Sequence, residues 1–398
     1  MASTWIWLHP QWPQFAVDLE KLSPLLSKAS RLKGEVLGRA AALGLDGLSQ
    51  AMCEAWTAEA VSTAAIEGQG LNPQSVRSSV ARRLGLDVHG GAAQQPIERD
   101  AEGLIDVLGD ATLNFQTPLT ALRLKDWQAA LFPTGRTGLR RIDIGTFRTS
   151  TEPMQVVSGR HGRLKVHHEA PPSGRVSAEI DSLLAWLKKT TPATDQTASM
   201  DGVVRAAIAH LWFETIHPFD DGNGRVGRAI VQWVLSQDLG APARVLTVAR
   251  QIELARNDYY LQLEAAQRYN SEDEPSALDV TPWCAWFAEQ FCLACVHANK
   301  TIDVFLERLR FLARQTGKPL NARQHKVLST LLDAGPGGFE GGMTTRKYAA
   351  IAGAPKITAA RDLAEMLSLG YLAVVGAGRS TRYYPAIERK WSMYENKT

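Results

Sequence analysis

A chain of 398 residues with 45% hydrophobic and 21% charged side chains is long enough for two or three packed domains, which excludes a disordered or fibrous protein. Forty-four basic residues against 41 acidic ones leave a net charge of +3, so overall charge names no partner, and any preference must come from local patches. The opening MASTWIWLHPQWPQF has no basic leader and is cut by His9 and prolines, and no run approaches the roughly eighteen apolar residues of a membrane span. Neither a secretion signal nor a membrane partner is expected, and a cytoplasmic location is the default.

Three regions follow along the chain, at about 1–110, 111–315 and 320–398. The first opens with alternating aromatics around prolines, Trp5, Trp7, Trp12 and Phe15, a pattern for a short extended segment whose tryptophans pack into a core. Helical patterns follow, broken at the turn-forming GLDG and HGG stretches. One of them, AMCEAWTAEAVSTAAIEG, closes on Glu67, with Gly68 and Gly70 as its C-terminal stop. A glutamate in the last turn opposes the helix dipole, which favours a cation there. Glu67 is therefore either solvated at a small cost or matched by a cation from elsewhere in the fold.

The second region is mostly helical by period. Within it, TEPMQVVSGRHGRLKVHHEAPP reads as one hairpin, with Gly159 and Gly162 bracketing a turn between two β-prone runs. The helical stretches VVRAAIAHLWFETI and RVGRAIVQWVLSQDL flank a short loop, and NDYYLQLEAAQ follows. The apolar run WCAWFAEQFCLACV carries Cys284, Cys292 and Cys295; with Cys53 these read as reduced thiols of a core, since a lone C-x-x-C with no second pair is a poor zinc or redox signature.

The third region begins with a helix in QHKVLSTLLDA and a glycine-rich loop, GPGGFEGG, that lacks the Lys-Ser/Thr of a P-loop. Two short helical patterns, MTTRKYAAIAG and PKITAARDLAEMLSLG, meet at a Gly-Ala-Pro turn, and YLAVVGAGRSTRYYPA reads as two strands around a glycine tip. Helix, turn, helix and hairpin in this order form a winged-helix pattern. Arg346, Lys347, Lys356, Arg361, Arg379 and Arg382 outnumber Asp362 and Glu365, so DNA is one candidate partner; the Ala-rich AIAGAPKITAA offers few base-reading side chains, and a protein partner is the other.

The segment His217-Pro218-Phe219-Asp220-Asp221-Gly222-Asn223-Gly224-Arg225-Val226-Gly227-Arg228 concentrates chemistry between two helices. The first should end at Ile216, because Pro218 disfavours helical geometry at His217. The second should begin around Gly222 to Gly224, with Val226, Ile230, Trp233 and Val234 on one face and Arg225 and Arg228 on another. A Gly-Asn-Gly turn leaves N–H groups uncovered at the positive end of a helix, where phosphate oxygens are favoured. The two arginines add forked donors, Asp221 is a hard oxygen ligand suited to Mg²⁺, and the unperturbed pKa of His217, near 6.5, suits a base at neutral pH.

The same segment matches H-x-F-x-[D/E]-G-N-G-R-x-x-R at every fixed position, and by it the chain resembles the Fic family of protein adenylyltransferases. The resemblance implies a mainly α fold, with a Fic helical core, a β-hairpin flap and, after it, the winged-helix domain. It also implies ATP and Mg²⁺, and AMP transfer to a Tyr, Thr or Ser hydroxyl of a target protein or of the chain itself. His217 would be the base, Phe219 the loop's anchor and Asp221 the metal ligand. Gly222, Asn223 and Gly224 would form the anion hole, with Arg225 and Arg228 on the phosphates. Met154, Val156 and Val157 of the flap would hold the target as an added strand. Tyr259, Tyr260 and Gln267 would contact the base or ribose; some relatives carry asparagine at the last position.

Thr63-Ala64-Ala65-Ile66-Glu67-Gly68 is similar to the family's inhibitory motif, [S/T]-x-x-x-E-[G/N]. It implies a bidentate pair of Glu67 with Arg228 that denies the γ-phosphate its seat, and a second role for Glu67 in removing AMP is open. Gly224 argues against a kinase-like variant with lysine there. A homodimer is open too, as is a different class of function, a nucleotide-sensing regulator that acts on DNA.

Overall fold

A computed structural model describes residues 3–86, 99–138, 140–160, 163–192, 200–240, 245–270, 277–335 and 339–387. Fourteen α-helices and ten short strands occur among them. Eleven helices come before residue 315: α1 (Leu19–Ala41), α2 (Gly44–Ile66), α3 (Pro73–Arg83), α4 (Arg99–Leu113), α5 (Ala121–Leu131), α6 (Val176–Lys189), α7 (Gly202–Ile216), α8 (Asn223–Leu239), α9 (Val248–Leu254), α10 (Arg256–Ala266) and α11 (Thr281–Arg314). The strands pair two by two. β1 (Ser3–Trp5) runs antiparallel to β7 (Arg268–Asn270), and β2 (Phe15–Ala16) parallel to β8 (Leu278–Asp279). β3 (Arg136–Thr137) pairs with β4 (Arg140–Arg141), and β5 (Gln155–Arg160) with β6 (Arg163–Glu169).

The chain divides into two units, one of Met1–Ala41, Met52–Leu84 and Pro96–Asn299, the other of Ala42–Ala51, Gly85–Gln95 and Lys300–Thr398. In the first, α7 is the central element. Its sequence is apolar all round, and every residue of it is buried, the pattern of a helix enclosed by its neighbours. The Asp201 carboxylate caps its start by accepting from the Val203 and Val204 N–H groups. α8 lies against it, and the close approach needs Gly227, where a Cβ would collide with the Glu214 carboxyl. Around this pair Phe213, Ile216, Phe219 and Ile230 are fully buried, each contributing about 1.5–3 kcal/mol.

The aromatic opening is extended only at Ser3–Trp5 and Phe15–Ala16, with a 3-10 turn at Ile6–Leu8 and turns between, and it packs through its tryptophans. Trp7 is buried and Trp5 and Trp12 are half-buried. Trp7 Nε1 donates to the Glu169 carbonyl at 2.7 Å, Trp12 Nε1 to Glu179 Oε2 at 2.8 Å, and Phe15 meets the edge of Trp212 with ring centroids 5.5 Å apart. Cys53, Cys284, Cys292 and Cys295 are free and buried, and burial pushes the Cys284 and Cys295 thiols up to about 12, so they stay protonated.

Several sequence expectations shift. The helical pattern does break at GLDG, but at its first residue: α1 stops at Ala41, Gly44 turns with φ 66°, and α2 runs on through Gly47. α4 continues to Leu113, across position 110 where the first region was expected to end. The HGG stretch, Gly162 of the hairpin turn and part of the GPGGFEGG loop lie outside the described residues.

The second unit carries the helix, turn, helix and hairpin. α12 (Ala322–Ala334) is followed by α13 (Thr345–Ala352), a turn with Gly353 at φ 62°, α14 (Lys356–Ser368), and the antiparallel pair β9 (Leu372–Val375) and β10 (Arg382–Pro385). Met343 bridges to Tyr383, extending the pair to three chains, the winged-helix arrangement. Val327, Leu331, Met343, Leu363 and Met366 form its core, and the buried Asp362 carboxylate takes Arg323 at 2.9 Å and the Tyr348 hydroxyl at 3.0 Å. Among the described residues no helix is long and apolar enough to cross a membrane.

Candidate active site

α7 ends at Ile216, and His217 adopts the left-handed conformation, φ 48° and ψ 60°, the one non-glycine residue with positive φ among those described. Such a conformation costs about 1–3 kcal/mol and persists only where neighbours enforce it. Arg148 does so. Its Nε donates to the His217 carbonyl at 2.8 Å and its Nη2 to the carbonyls of Ile216 and Pro171, while its own N–H reaches the Pro218 carbonyl at 2.9 Å. Phe219 is wholly buried against Phe147 and Phe213. The Asn223 side chain closes the loop from inside, accepting from the Phe219 N–H at 2.9 Å and donating to the Phe219 carbonyl at 2.8 Å. Its contribution to an anion site is thus limited to its backbone.

α8 starts at Asn223 behind Gly222, whose φ of 89° and contact with Phe132, 2.8 Å from a Cβ built there, both require glycine. At Gly224 a Cβ would collide with Glu67 Oε1, so that carboxylate already sits over the cradle as an anion would. Glu67 follows the last residue of α2 rather than lying in its last turn. Its Oε1 receives Arg228 Nη2 at 2.7 Å, and the same nitrogen donates to the Thr63 carbonyl at 3.1 Å. The pair is therefore single-pronged, not bidentate: Nη2 alone reaches the carboxylate, and Nε is buried with no hydrogen-bond partner. The Thr63 hydroxyl itself is buried with no hydrogen-bond partner. Arg228 is 2% exposed and the Glu67 side chain 34%. Burial alone would raise the Glu67 carboxyl, but Arg228 beside it holds it below the usual range.

Burial pulls His217 down to about 4, so its imidazole is neutral at pH 7. Its Nδ1 faces the Glu214 carbonyl at 3.4 Å. Asp221 Oδ1 caps the Gly222 N–H at 2.6 Å and faces Arg225 Nη2 at 3.4 Å, while Oδ2 has no partner among the described residues. Arg225 lies over the Phe132 ring at 4.5 Å and reaches Gln69 Oε1 at 3.4 Å.

One cavity of about 740 Å³ brings together His217, Asp221, Gly222, Asn223, Gly224, Glu67, Tyr259, Tyr260, Gln267, Met154, Val156 and Val157. Arg225, Arg228 and Thr63 are buried and do not line it. The polar ends of two base-side residues are spent inside the protein: the Tyr259 hydroxyl on His210 Nε2 at 3.0 Å, and Gln267 Nε2 on the Thr215 hydroxyl at 3.3 Å. The flap is the β5–β6 hairpin. A bulge between Val156 and Val157 breaks the strand alternation, and both border the cavity.

Residues 118–235 match the Fic/DOC family and residues 5–86 a domain of unknown function, DUF4172. The chain carries a Fic/DOC-family domain. Protein adenylyltransferase fic-1 of Caenorhabditis briggsae is 33% identical over 91 residues, 23% of this chain and 16% of that protein. The probable protein adenylyltransferase aq_aa38 of Aquifex aeolicus is 37% identical over 68 residues, 17% of this chain and 19% of that protein. The matched segments thus span less than a fifth of these relatives' length. A solved Fic family protein from Desulfovibrio desulfuricans G20 shares the fold, with a TM-score of 0.52 at 19% identity over 94% of this chain and 98% of that one.

Three residues that position the Fic loop carry no signal in the motif. Arg148 bonds only backbone carbonyls. Gln128 holds the other side of the loop, accepting from the Gly145 N–H at 2.7 Å and donating to the Asp221 carbonyl at 3.4 Å. Glu214 lies three residues before His217, a spacing that puts both on one helix face and that could have been read from the sequence. It is 5% exposed, its Oε2 is 3.9 Å from His217 Nδ1, and burial pushes its carboxyl up to about 8. Glu264 on α10 ties down the flap by accepting from His167 at 2.7 Å and Lys165 at 3.1 Å.

Proposed function

We propose that this chain is a protein adenylyltransferase that moves AMP from ATP to a Tyr, Thr or Ser hydroxyl, and that Glu67 holds it off. The observation that carries this reading is the Glu67 carboxylate seated over Gly224 and paired with Arg228. An anion already occupies the cradle, and it comes from the residue the inhibitory motif names.

The residues fit a magnesium triphosphate. Gly222 and Gly224 bring no Cβ to the cradle and the Asn223 side chain is spent on Phe219, the Fic helix turns its positive end toward it, and Asp221 Oδ2 is uncommitted. Asp221 would hold the metal, which when bound offsets phosphate charge. With Glu67 displaced, Arg228 is left to pair with a phosphate oxygen, and Arg225 with another. His217, neutral at pH 7, takes the proton of the target hydroxyl through Nε2 while Nδ1 stays toward the Glu214 carbonyl. The hydroxyl oxygen bonds to the α-phosphorus, the bond to the bridging oxygen breaks, and pyrophosphate leaves. No covalent enzyme intermediate is needed, so the rate rests on positioning and charge. The exposed Val156 and Val157 on the flap suit an extended target segment added to its edge.

The test is transfer from α-labelled ATP with magnesium, using the Glu67→Gly chain and a lysate. Label on protein, absent from the Glu67→Gly, His217→Ala double variant, supports the reading. Label from the γ-position instead would overturn it. Self-labelling of the Glu67→Gly chain, and release of AMP from labelled target by the chain with Glu67, are read in the same assay.

A second reading is favoured by the winged helix. α14 exposes Lys356, Ile357 and Arg361, and its one acid on the inner side, Asp362, is neutralised by Arg323. Duplex DNA with little sequence preference is the partner this face suits. Salt-sensitive duplex binding that Lys356→Glu and Arg361→Glu abolish, and that His217→Ala leaves intact, would support a regulator acting on DNA.

A further inference from the structure

The turn that follows α2 is closed by its own backbone. The N–H groups of Glu67 and Gln69 both reach the Ala64 carbonyl, at 3.1 and 2.9 Å, and that of Gly68 reaches Ala65 at 3.0 Å. This arrangement spends the carbonyls before Ile66 and leaves that of Ile66, one residue before the inhibitory carboxylate, in need of an outside donor. The donor is the Tyr260 hydroxyl, at 3.1 Å from α10. The rest of that side chain faces the other way in function. Tyr260 is 42% exposed, borders the cavity, and has the Arg256 guanidinium 5.8 Å from its ring centroid and the Tyr259 ring at 5.1 Å.

We infer that Tyr260 couples occupancy of the nucleotide cavity to release of the inhibitory turn: the ring is the surface a planar base meets, and the hydroxyl holds the carbonyl beside Glu67. The inference rests on the proposed adenylyl transfer and names a control on that same site. The coupling is mechanical. A tyrosine ring and its hydroxyl move as one rigid body, so a base that turns the ring withdraws the donor from Ile66.

Tyr260 also differs from the other contacts on this turn. Arg228 grips Glu67 and the Thr63 carbonyl, and Arg225 reaches Gln69, so the phosphate end of a nucleotide competes for those contacts by charge. Tyr260 is uncharged, holds the turn through a neutral hydroxyl, and presents an exposed ring to the cavity, so on this reading it answers to the base rather than to the phosphates. A nucleoside triphosphate would then loosen the turn from both ends, whereas a bare triphosphate works on the arginines alone.

Amide hydrogen exchange on the full chain tests this without requiring turnover. In Tyr260→Phe, without nucleotide, the amides of Glu67, Gly68 and Gln69 should exchange about fivefold faster than in the wild type, the size of one lost hydrogen bond. Those of α8 should not change. In the wild type, magnesium ATP should speed the same amides more than magnesium tripolyphosphate does, and in Tyr260→Phe the two should act alike. With Glu67 in place, Tyr260→Phe should also raise transfer of α-label about fivefold. Unchanged exchange at 67–69 would overturn the coupling even if Glu67→Gly transfers AMP. Faster exchange with no label transferred by any variant would leave the coupling standing and sink the transferase instead. Slower transfer by Tyr260→Phe with exchange unchanged would assign the hydroxyl to the nucleotide, against the inference.

Discussion

Glu67→Gly should destabilise the chain and make its stability depend on nucleotide. Arg228 is 2% exposed, and with Glu67 gone its Nη2 keeps the hydrogen bond to the Thr63 carbonyl. Stranding a fully buried charge costs about 3–5 kcal/mol. The Glu67 side chain is 34% exposed, so water screens part of the pair and a loss of about 1–3 kcal/mol is the better expectation. For a unit of this size that lowers Tm by about 2–10 °C. Glu67→Gln, which keeps the shape and removes the charge, should fall between the two. Magnesium ATP at about a hundred times its Kd should restore about 2.7 kcal/mol to the Glu67→Gly chain. It should give the wild type much less, since there the carboxylate must first leave. The assay is a thermal melt followed by circular dichroism, with and without nucleotide. If Glu67→Gly melts with the wild type and the two chains respond equally to ATP, the anion over Gly224 is not a placeholder and the reasoning fails.

Gly224→Ala should evict Glu67, because the new methyl collides with Oε1, yet fill the cradle as well; in a Glu67→Gly background it should abolish the ATP-induced rise in Tm. Arg148→Lys keeps the charge but not the fork that holds the Ile216, Pro171 and His217 carbonyls, so it should cost about 1–3 kcal/mol by chemical denaturation and lower label transfer by Glu67→Gly. Global stability should peak near pH 6.5. Burial lowers His168 and His210 to about 3 and His217 to about 4, so their contribution is complete above their unfolded value near 6.5 and is lost as pH falls from there. Burial raises Glu59 to about 7 and Glu214 to about 8, so their contribution is complete below about 4.5 and is lost as pH rises through 7 and 8. Between pH 5 and 6.5 three histidines outweigh two glutamates and stability climbs gently. Above 6.5 the glutamates act alone, each removing up to about 1.4 kcal/mol per pH unit until its carboxyl ionises. Urea melts across pH 5 to 8.5 with the optimum at 8 would contradict these burials.

The site was legible where its signal is local. His217 to Arg228 lie within one loop and one helix turn, so Pro218 marked the end of α7 at Ile216 and the glycines bracketed the start of α8, which falls at Asn223. Glu67 was legible for a different reason: the dipole argument left it solvated or paired, and the likeness to the inhibitory motif named Arg228, which meets it across 161 residues. What was hidden depends on backbone. Arg148 bonds carbonyls 23, 68 and 69 residues away, and carbonyls leave no trace in a sequence. The likeness of NDYYLQLEAAQ to a base-side helix could not show that Tyr259 and Gln267 spend their polar ends on His210 and Thr215. That choice is set by what α7 presents to them. The winged helix was read from period and turn residues, and the bridge from Met343 to Tyr383 that completes it is a tertiary pairing.

The brake proposed for Glu67 also has a reason in the fold. A helix start flanked by Gly222 and Gly224 and backed by two buried arginines is a cationic site whether or not a nucleotide is present. Left empty, it would cost the folded state about 1–3 kcal/mol, as in Glu67→Gly. The Glu67 carboxylate, just past the end of α2, removes that cost from the position a phosphate would take, so under the proposed function resting stability and inhibition are one contact. It follows that no signal can activate this Fic domain by loosening α2 alone without lowering its stability. An activator must either deliver an anion to Arg228 or stabilise the opened form elsewhere, and the triphosphate is the ligand that does the first directly.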